Sequence, residues 1–177
     1  DVCSSDLGTP REGYPVEIQA LWIRLLRLLA RLGCSPWEGR GESWSDLAHR
    51  TEKAFHQYFW LEECGWYADY LTAVSGHPAR TSAPSNALRS NCLVPIALGI
   101  DQHPDAGARA RRTVEAARQW LLIPGALRSL APLPVIPPLA IHGNQGGLLN
   151  DPNNPYWGRY EGDEDTDRKS TRLNSSH

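Results

Sequence analysis

The sequence predicts an all-α protein in which helices alternate with loops as they do in a toroid built from helical hairpins, with long irregular stretches between them. Three observations carry that expectation. Residues 16–32 form an apolar run with helical spacing, residues 45–63 read as an amphipathic helix, and residues 86–98 and 104–122 supply two further segments bounded by Gly and Pro. No internal repeat accompanies them.

The first helix is entered through a polar, Pro-punctuated loop, Thr9-Pro10-Arg11-Glu12-Gly13-Tyr14-Pro15. Pro15 suits a first helical turn because its missing N–H would have no intrahelical partner there, and Gly33 with Pro36 stops the helix. Glu17 falls in that first turn, where the helix dipole favours its ionised form. It either caps the helix or offers a carboxylate to a ligand, with Trp22 a little further along. Apart from a stripe of Arg24, Arg27 and Arg31 the helix is apolar nearly all round, the pattern of an element buried by its neighbours.

Ser43 reads as the N-cap of the second helix, with Asp46 in its first turn. Leu47, Ala48, Thr51, Phe55, Tyr58 and Phe59 face inward on that reading, while His49, Arg50, Lys53, His56 and Gln57 are surface residues. Residues 66–71 are a short strand or an extended rim segment. The third helix contains Pro95, so it is kinked or starts late. In the fourth, Val114, Ala117 and Leu121 are core candidates, arginines 109, 111, 112 and 118 make a solvated face, and Gly125 ends it. Residues 124–166 are rich in Pro and Gly with little periodicity, a length that within one domain is functional or covers another surface.

The chain of 177 residues is long enough for one domain with a core, and it contains no methionine, so its coding sequence is expected to start elsewhere and the chain to be a fragment. Its ends point the same way. Codons exist for residues 1–7 and 167–177 under which the two are inverted copies, GACGTGTGCTCTTCCGATCT against AGATCGGAAGAGCACACGTC, resembling translated sequencing adapter. The expected domain is therefore 8–166, native flexible tails being the alternative. Without Cys3, the cysteines Cys34, Cys64 and Cys92 are an odd set lacking CxxC spacing, which predicts free thiols in a reducing compartment. A net charge of −2 gives no pull toward nucleic acid or anionic membrane. The most apolar run, 21–32, is too short to span a bilayer. Seven tryptophans and six tyrosines suit sugar binding or a large aromatic core.

Signatures such as GxSxG, HExxH, a Walker loop or a zinc-ligand pattern are absent from the sequence, which predicts no metal site. Gly143-Asn144-Gln145-Gly146-Gly147 lacks the strand-to-helix context of a dinucleotide loop and reads as a turn. In Pro155-Tyr156-Trp157-Gly158-Arg159-Tyr160-Glu161 rings and a carboxylate adjoin, as in sites where aromatics stack on pyranose faces and carboxylates bridge hydroxyls. A solvated acidic turn is the other reading.

Four segments in order then converge on one family: Thr9-Pro10-Arg11-x-Gly13-x-Pro15-Val16-Glu17-Ile18-x-Ala20-Leu21-Trp22, Leu88-Arg89-Ser90-Asn91, residues 121–132, and residues 155–163. The chain resembles the C-terminal amylo-α-1,6-glucosidase domain of glycogen debranching enzymes over nearly all of 8–166. The resemblance implies a partial (α/α)6 toroid with long irregular loops, in a cytoplasmic glycoside hydrolase acting on glycogen or α-glucan limit dextrin. It implies hydrolysis of branch-point α-1,6-linked glucose with inversion by two carboxylates, without metal or organic cofactor. The acid lies upstream of the Thr-Pro-Arg loop and the base far downstream in the family, so no catalytic residue is expected here and the fragment itself is expected to be inactive. Matched positions assign substrate binding to Arg11, Glu17, Trp22, Arg89, Asn91, Arg128, Trp157, Tyr160 and Glu161. Cys92 stands where the family usually carries Gln, and Ile23 where it usually carries an aromatic. Two alternatives stay open, a non-catalytic glycan-binding helical domain and a related toroid glycosidase of other linkage preference. With apolar faces left without partners, the isolated chain is expected to be poorly soluble.

Overall fold

The computed structural model describes residues 11–35, 41–140, 142, 147, 148 and 150–156. A short strand β1 (Gly13–Pro15) runs directly into helix α1 (Val16–Arg31), and α2 (Trp44–Phe59) packs back along it. Ser43 Oγ accepts the Asp46 N–H at 3.1 Å, the predicted N-cap of α2. Strands β2 (Trp60–Leu61) and β3 (Trp66–Tyr67) form a hairpin, followed by β4 (Tyr70–Thr72) and β5 (Ala83–Pro84). A 3₁₀ turn (Ser90–Leu93) leads into the single-turn helix α3 (Val94–Ala97); then come α4 (Ala106–Trp120) and a last hairpin of β6 (Leu122–Ile123) and β7 (Ala126–Leu127).

The all-α expectation, and with it the helical-hairpin wall of an (α/α)6 toroid, does not hold. The described residues make four helices and three small antiparallel sheets, a mixed α/β arrangement. The aromatic residues after α2 explain much of this. Trp60, Trp66, Tyr67 and Tyr70 fit pleated, half-buried surfaces better than helix, so α2 ends at Phe59 and the chain turns extended. Pro124-Gly125, with Gly125 at φ +81°, makes the tight turn between β6 and β7 where the sequence promised only a helix stop. The third helix starts late, with Pro95 in its first turn, one of the two outcomes foreseen.

The sheet that matters most has the order β1-β4-β5, with Gly13 opposite Thr72, Tyr14 opposite Leu71 and Pro15 opposite Tyr70. Gly13 sits at φ +131°, and a Cβ there would come within 2.0 Å of the Leu71 carbonyl oxygen, so only glycine permits this pairing. That register carries the start of α1 to the residue before β4, and the Asp69 carbonyl accepts the Val16 N–H at 3.0 Å. Under this corner lies the core: Val16, Ala20 and Ile23 of α1, Phe55 and Phe59 of α2, then Tyr67, Leu71, Leu88, Ile100 and Leu121. Burying that set is the main stabilising term of the fold. The other side of α1 stays uncovered, with Ile18, Leu21, Leu25, Leu28 and Leu32 each more than 40 % exposed.

Candidate functional site

Four of the residues singled out in the sequence meet where β1 enters α1. Arg11 grips Glu17 with both terminal nitrogens, Nη1 to Oε1 at 2.6 Å and Nη2 to Oε2 at 2.8 Å. Fork-to-carboxylate pairs of this kind are strong and fix orientation. Asn91, from the 3₁₀ turn, donates its Nδ2 N–H to Glu17 Oε1 at 3.2 Å. Arg11 Nη2 also reaches Asp69, its Oδ1 at 2.9 Å and its carbonyl at 3.0 Å. On the far side Arg89 Nε stands 3.0 Å from Asp69 Oδ2.

Burial grades across this cluster. The Asp69 side chain has no exposed surface, Arg89 has 7 %, Arg11 19 % and Glu17 22 %. Burial pushes the Asp69 carboxyl up, opposed by the charges of Arg89 and Arg11. Burial works against the Glu17 carboxylate too, but the Arg11 hydrogen bond, the Glu17 backbone N–H and the charges on Arg11 and Arg89 outweigh it and hold its pKa below 4.5. Beneath them the buried Cys92 thiol is pushed up to about 12 by desolvation and by Asp69, so it stays protonated and unreactive. The site therefore presents one ionised, solvent-reachable carboxylate and a half-buried amide, backed by an internal charge pair.

Asp69 was not among the sequence candidates. Its signal was there to read: a lone acid inside the aromatic stretch Trp66-Tyr67-Ala68-Asp69-Tyr70 is a buried charge that needs a partner. Trp22 lies elsewhere. Five residues from Glu17 it is turned about 140° round the helix, 37 % exposed beside the uncovered apolar stripe. Arg128 follows β7 and makes its contacts with the Trp120 carbonyl at 3.5 Å and the face of Tyr156 at 5.5 Å. Trp157, Tyr160 and Glu161 lie outside the described residues.

A second charged group, further along α1, corrects the reading of α2 and α4 as simple solvated faces. The His56 side chain is 12 % exposed, with Nδ1 3.2 Å from Asp101 Oδ1 and Nε2 3.6 Å from Glu52 Oε1. Arg27 pairs with Glu52 at 2.8 Å and donates to the carbonyls of Gly99 and Ile100. Asp101 accepts the Tyr67 hydroxyl and the His103 N–H. Arg109 lies over the Trp60 ring at 5.1 Å, and its side chain is only 15 % exposed.

A charge-held carboxylate and an amide at a helix entrance form the kind of polar surface that carbohydrate-processing enzymes use, and the comparisons with known proteins put the chain in a glycoside hydrolase family. Residues 2–135 match the family described as Amylo-alpha-1,6-glucosidase, and the chain belongs to that family. It is also similar to the putative periplasmic trehalase of Escherichia coli O157:H7 and to the periplasmic trehalase of Escherichia coli strain K12 / DH10B. Each is 28 % identical over 116 residues, 65 % of this chain and 19 % of the relative. The chain thus spans about a fifth of the length of the curated relatives it matches.

Proposed function

We propose that this chain forms part of the sugar-binding wall of an α-glucosidase that releases branch-point glucose from glycogen or an α-glucan limit dextrin. The convergence of Arg11, Glu17, Asp69, Arg89 and Asn91 at the entrance of α1 carries this reading. Glu17, kept ionised by Arg11, accepts a hydroxyl of the bound glucose, and Asn91 offers amide hydrogen-bonding beside it. Arg89 and Asp69 lie too deep to touch sugar and hold Arg11 in place. Two further carboxylates from the parent protein then perform the inverting hydrolysis, one protonating the leaving oxygen and the other activating water. The free thiols of Cys34, Cys64 and Cys92 favour a reducing compartment such as the cytoplasm.

A second reading is an enzyme of the same kind that cleaves trehalose, favoured by the similarity to periplasmic trehalases. The complete parent protein, assayed for glucose release from limit dextrin and from trehalose, separates the two. Release from limit dextrin, with a raised KM in Glu17→Gln, supports the first. Release from trehalose alone moves the assignment to the second. No release from either, or a Glu17→Gln protein with unchanged kinetics, removes the sugar-binding role of the cluster.

A further inference from the structure

The pocket between α2, α4 and the loop that joins α3 to α4 has a volume of about 440 Å³, at the lower end of the size of small-ligand sites. Every side chain that lines it is polar or charged, among them Glu52, His56, Gln57, Gln102, His103 and Arg109. Arg27, which holds Glu52 there, stands ten residues after Glu17, about 15 Å along the axis of α1, so this is a separate place from the Arg11–Glu17 cluster.

Three buried polar atoms on its wall have no hydrogen-bond partner, His56 Nδ1 and Nε2 and Arg109 Nη1. The Glu52 and Asp101 oxygens nearest Nε2 and Arg109 Nη1 are 3.6 and 3.8 Å away, beyond hydrogen-bond reach, and Nδ1 lies 3.2 Å from Asp101 Oδ1 without hydrogen-bond geometry. Unsatisfied buried polar atoms are rare enough that each calls for a ligand, a water or an ion. Their chemistry narrows the choice. Burial holds the His56 pKa below 6.5 against the pull of Asp101 and Glu52, so the ring is neutral at pH 7. A neutral imidazole carries one N–H donor and one acceptor, while Arg109 Nη1 can only donate. A group of hydroxyls, each both donor and acceptor, answers all three atoms. A phosphate is anionic and would meet the carboxylates of Glu52 and Asp101, which are already matched by Arg27 and by the Tyr67 hydroxyl. Among the described residues no three His, Cys, Asp or Glu side chains are placed to hold a metal ion.

We propose that this pocket is a second carbohydrate site, taking a neutral glucosyl unit through His56 and Arg109 on its inner wall and Gln57 and Gln102 at its rim. Its hydroxyls donate to whichever His56 nitrogen lacks the ring proton and accept from Arg109, and the two exposed glutamines supply paired donors and acceptors to its remaining hydroxyls. Lys53 at the rim and Arg109 on the inner wall are cations a phosphate could use, which makes inorganic phosphate the opposing probe.

The test is an NMR titration of the complete parent protein, isotope-labelled at His and Gln, with maltose and, separately, with inorganic phosphate, following the His56 ring and the side-chain amides of Gln57 and Gln102. Maltose is expected to move these signals to saturation at millimolar concentration, in Glu17→Gln as in the wild type. Gln102→Ala, at an exposed position that does not threaten the fold, weakens the apparent Kd about tenfold, and His56→Phe abolishes the shifts. If His56→Phe does not fold, Arg109→Met takes its place with the same expected loss. Absence of maltose shifts at His56 overturns the assignment. So do shifts that disappear in Glu17→Gln, which would place the sugar at the other cluster, and shifts produced by phosphate at lower concentration than by maltose.

Discussion

At the N-terminal end of α1 a carboxylate with no exposed surface, Asp69, stands between two guanidiniums, and the partly exposed Glu17 is gripped by one of them. Further along the same helix Glu52 and Asp101 are nearly as deep, at 9 % and 8 % side-chain exposure, but between them lies an uncharged imidazole. Both ends match two acids with two arginines. They differ in where the terminal donors go: Arg11 spends both terminal nitrogens on Glu17 and Asp69, with Arg11 Nε, Arg89 Nε and Asp69 Oδ2 outside hydrogen-bond geometry, whereas Arg109 Nη1 and both His56 nitrogens make no hydrogen bond. A cluster whose terminal donors are spent acts as a scaffold that presents one group, here Glu17. A cluster left open is a pocket with its own hydrogen-bonding appetite.

That contrast is easiest to break through the most buried charge. Asp69→Asn leaves Arg89 buried without its counter-ion, and removing one partner of such a pair costs about 3–5 kcal/mol, read as a lower midpoint in urea by tryptophan fluorescence. The counterpart change at the open end, Asp101→Asn, still accepts the His103 N–H through its amide oxygen and should cost only about 1–3 kcal/mol. Equal losses at the two positions would mean that the ends of α1 are energetically alike.

How much of this was legible follows the same division. Glu17 could be picked out from the Pro-punctuated entrance of α1, whereas Arg11, Arg89 and Asn91 came from the resemblance of their segments to the family. Asp69 announced itself only as a lone acid among aromatics and Asp101 not at all, since what makes both matter is the β1–β4 pairing and the approach of α4. The helices α1, α2 and α4 were visible from their periodicity to within a few residues. The sheets were not, because strands of two or three residues are too short to show alternation, and only the aromatic content of residues 66–71 hinted at them. His56 and Arg109 looked like solvated positions on amphipathic helices, and only the Trp60 ring and Asp101 brought against them show otherwise.

A smaller effect sharpens the comparison from within the open end. Tyr67→Phe removes the hydroxyl that Asp101 accepts while keeping the ring among Phe55 and Trp60, and should cost about 1 kcal/mol in the same urea assay. A loss approaching that of Asp69→Asn would show that the Tyr67–Asp101 bond closes the open end after all.

Acidification separates the two ends by the window in which each responds. His56 has its pKa lowered by burial, so below its ordinary value of 6.5 the unfolded chain takes up a proton that the folded chain refuses. Stability contributed there is complete above pH 6.5 and falls as the pH drops toward the folded-state value. Glu17 is also lowered, but from 4.5, so its contribution is intact until about pH 4.5 and is lost only below it as Arg11 loses its anionic partner. Thermal unfolding followed between pH 7 and 5 should therefore show a modest decline to which His56 contributes and Glu17 does not. His56→Gln should flatten that decline and Glu17→Gln should leave it unchanged. A slope between pH 7 and 5 that survives in His56→Gln would place the responding group elsewhere and remove the uncharged imidazole on which the difference between the two ends rests.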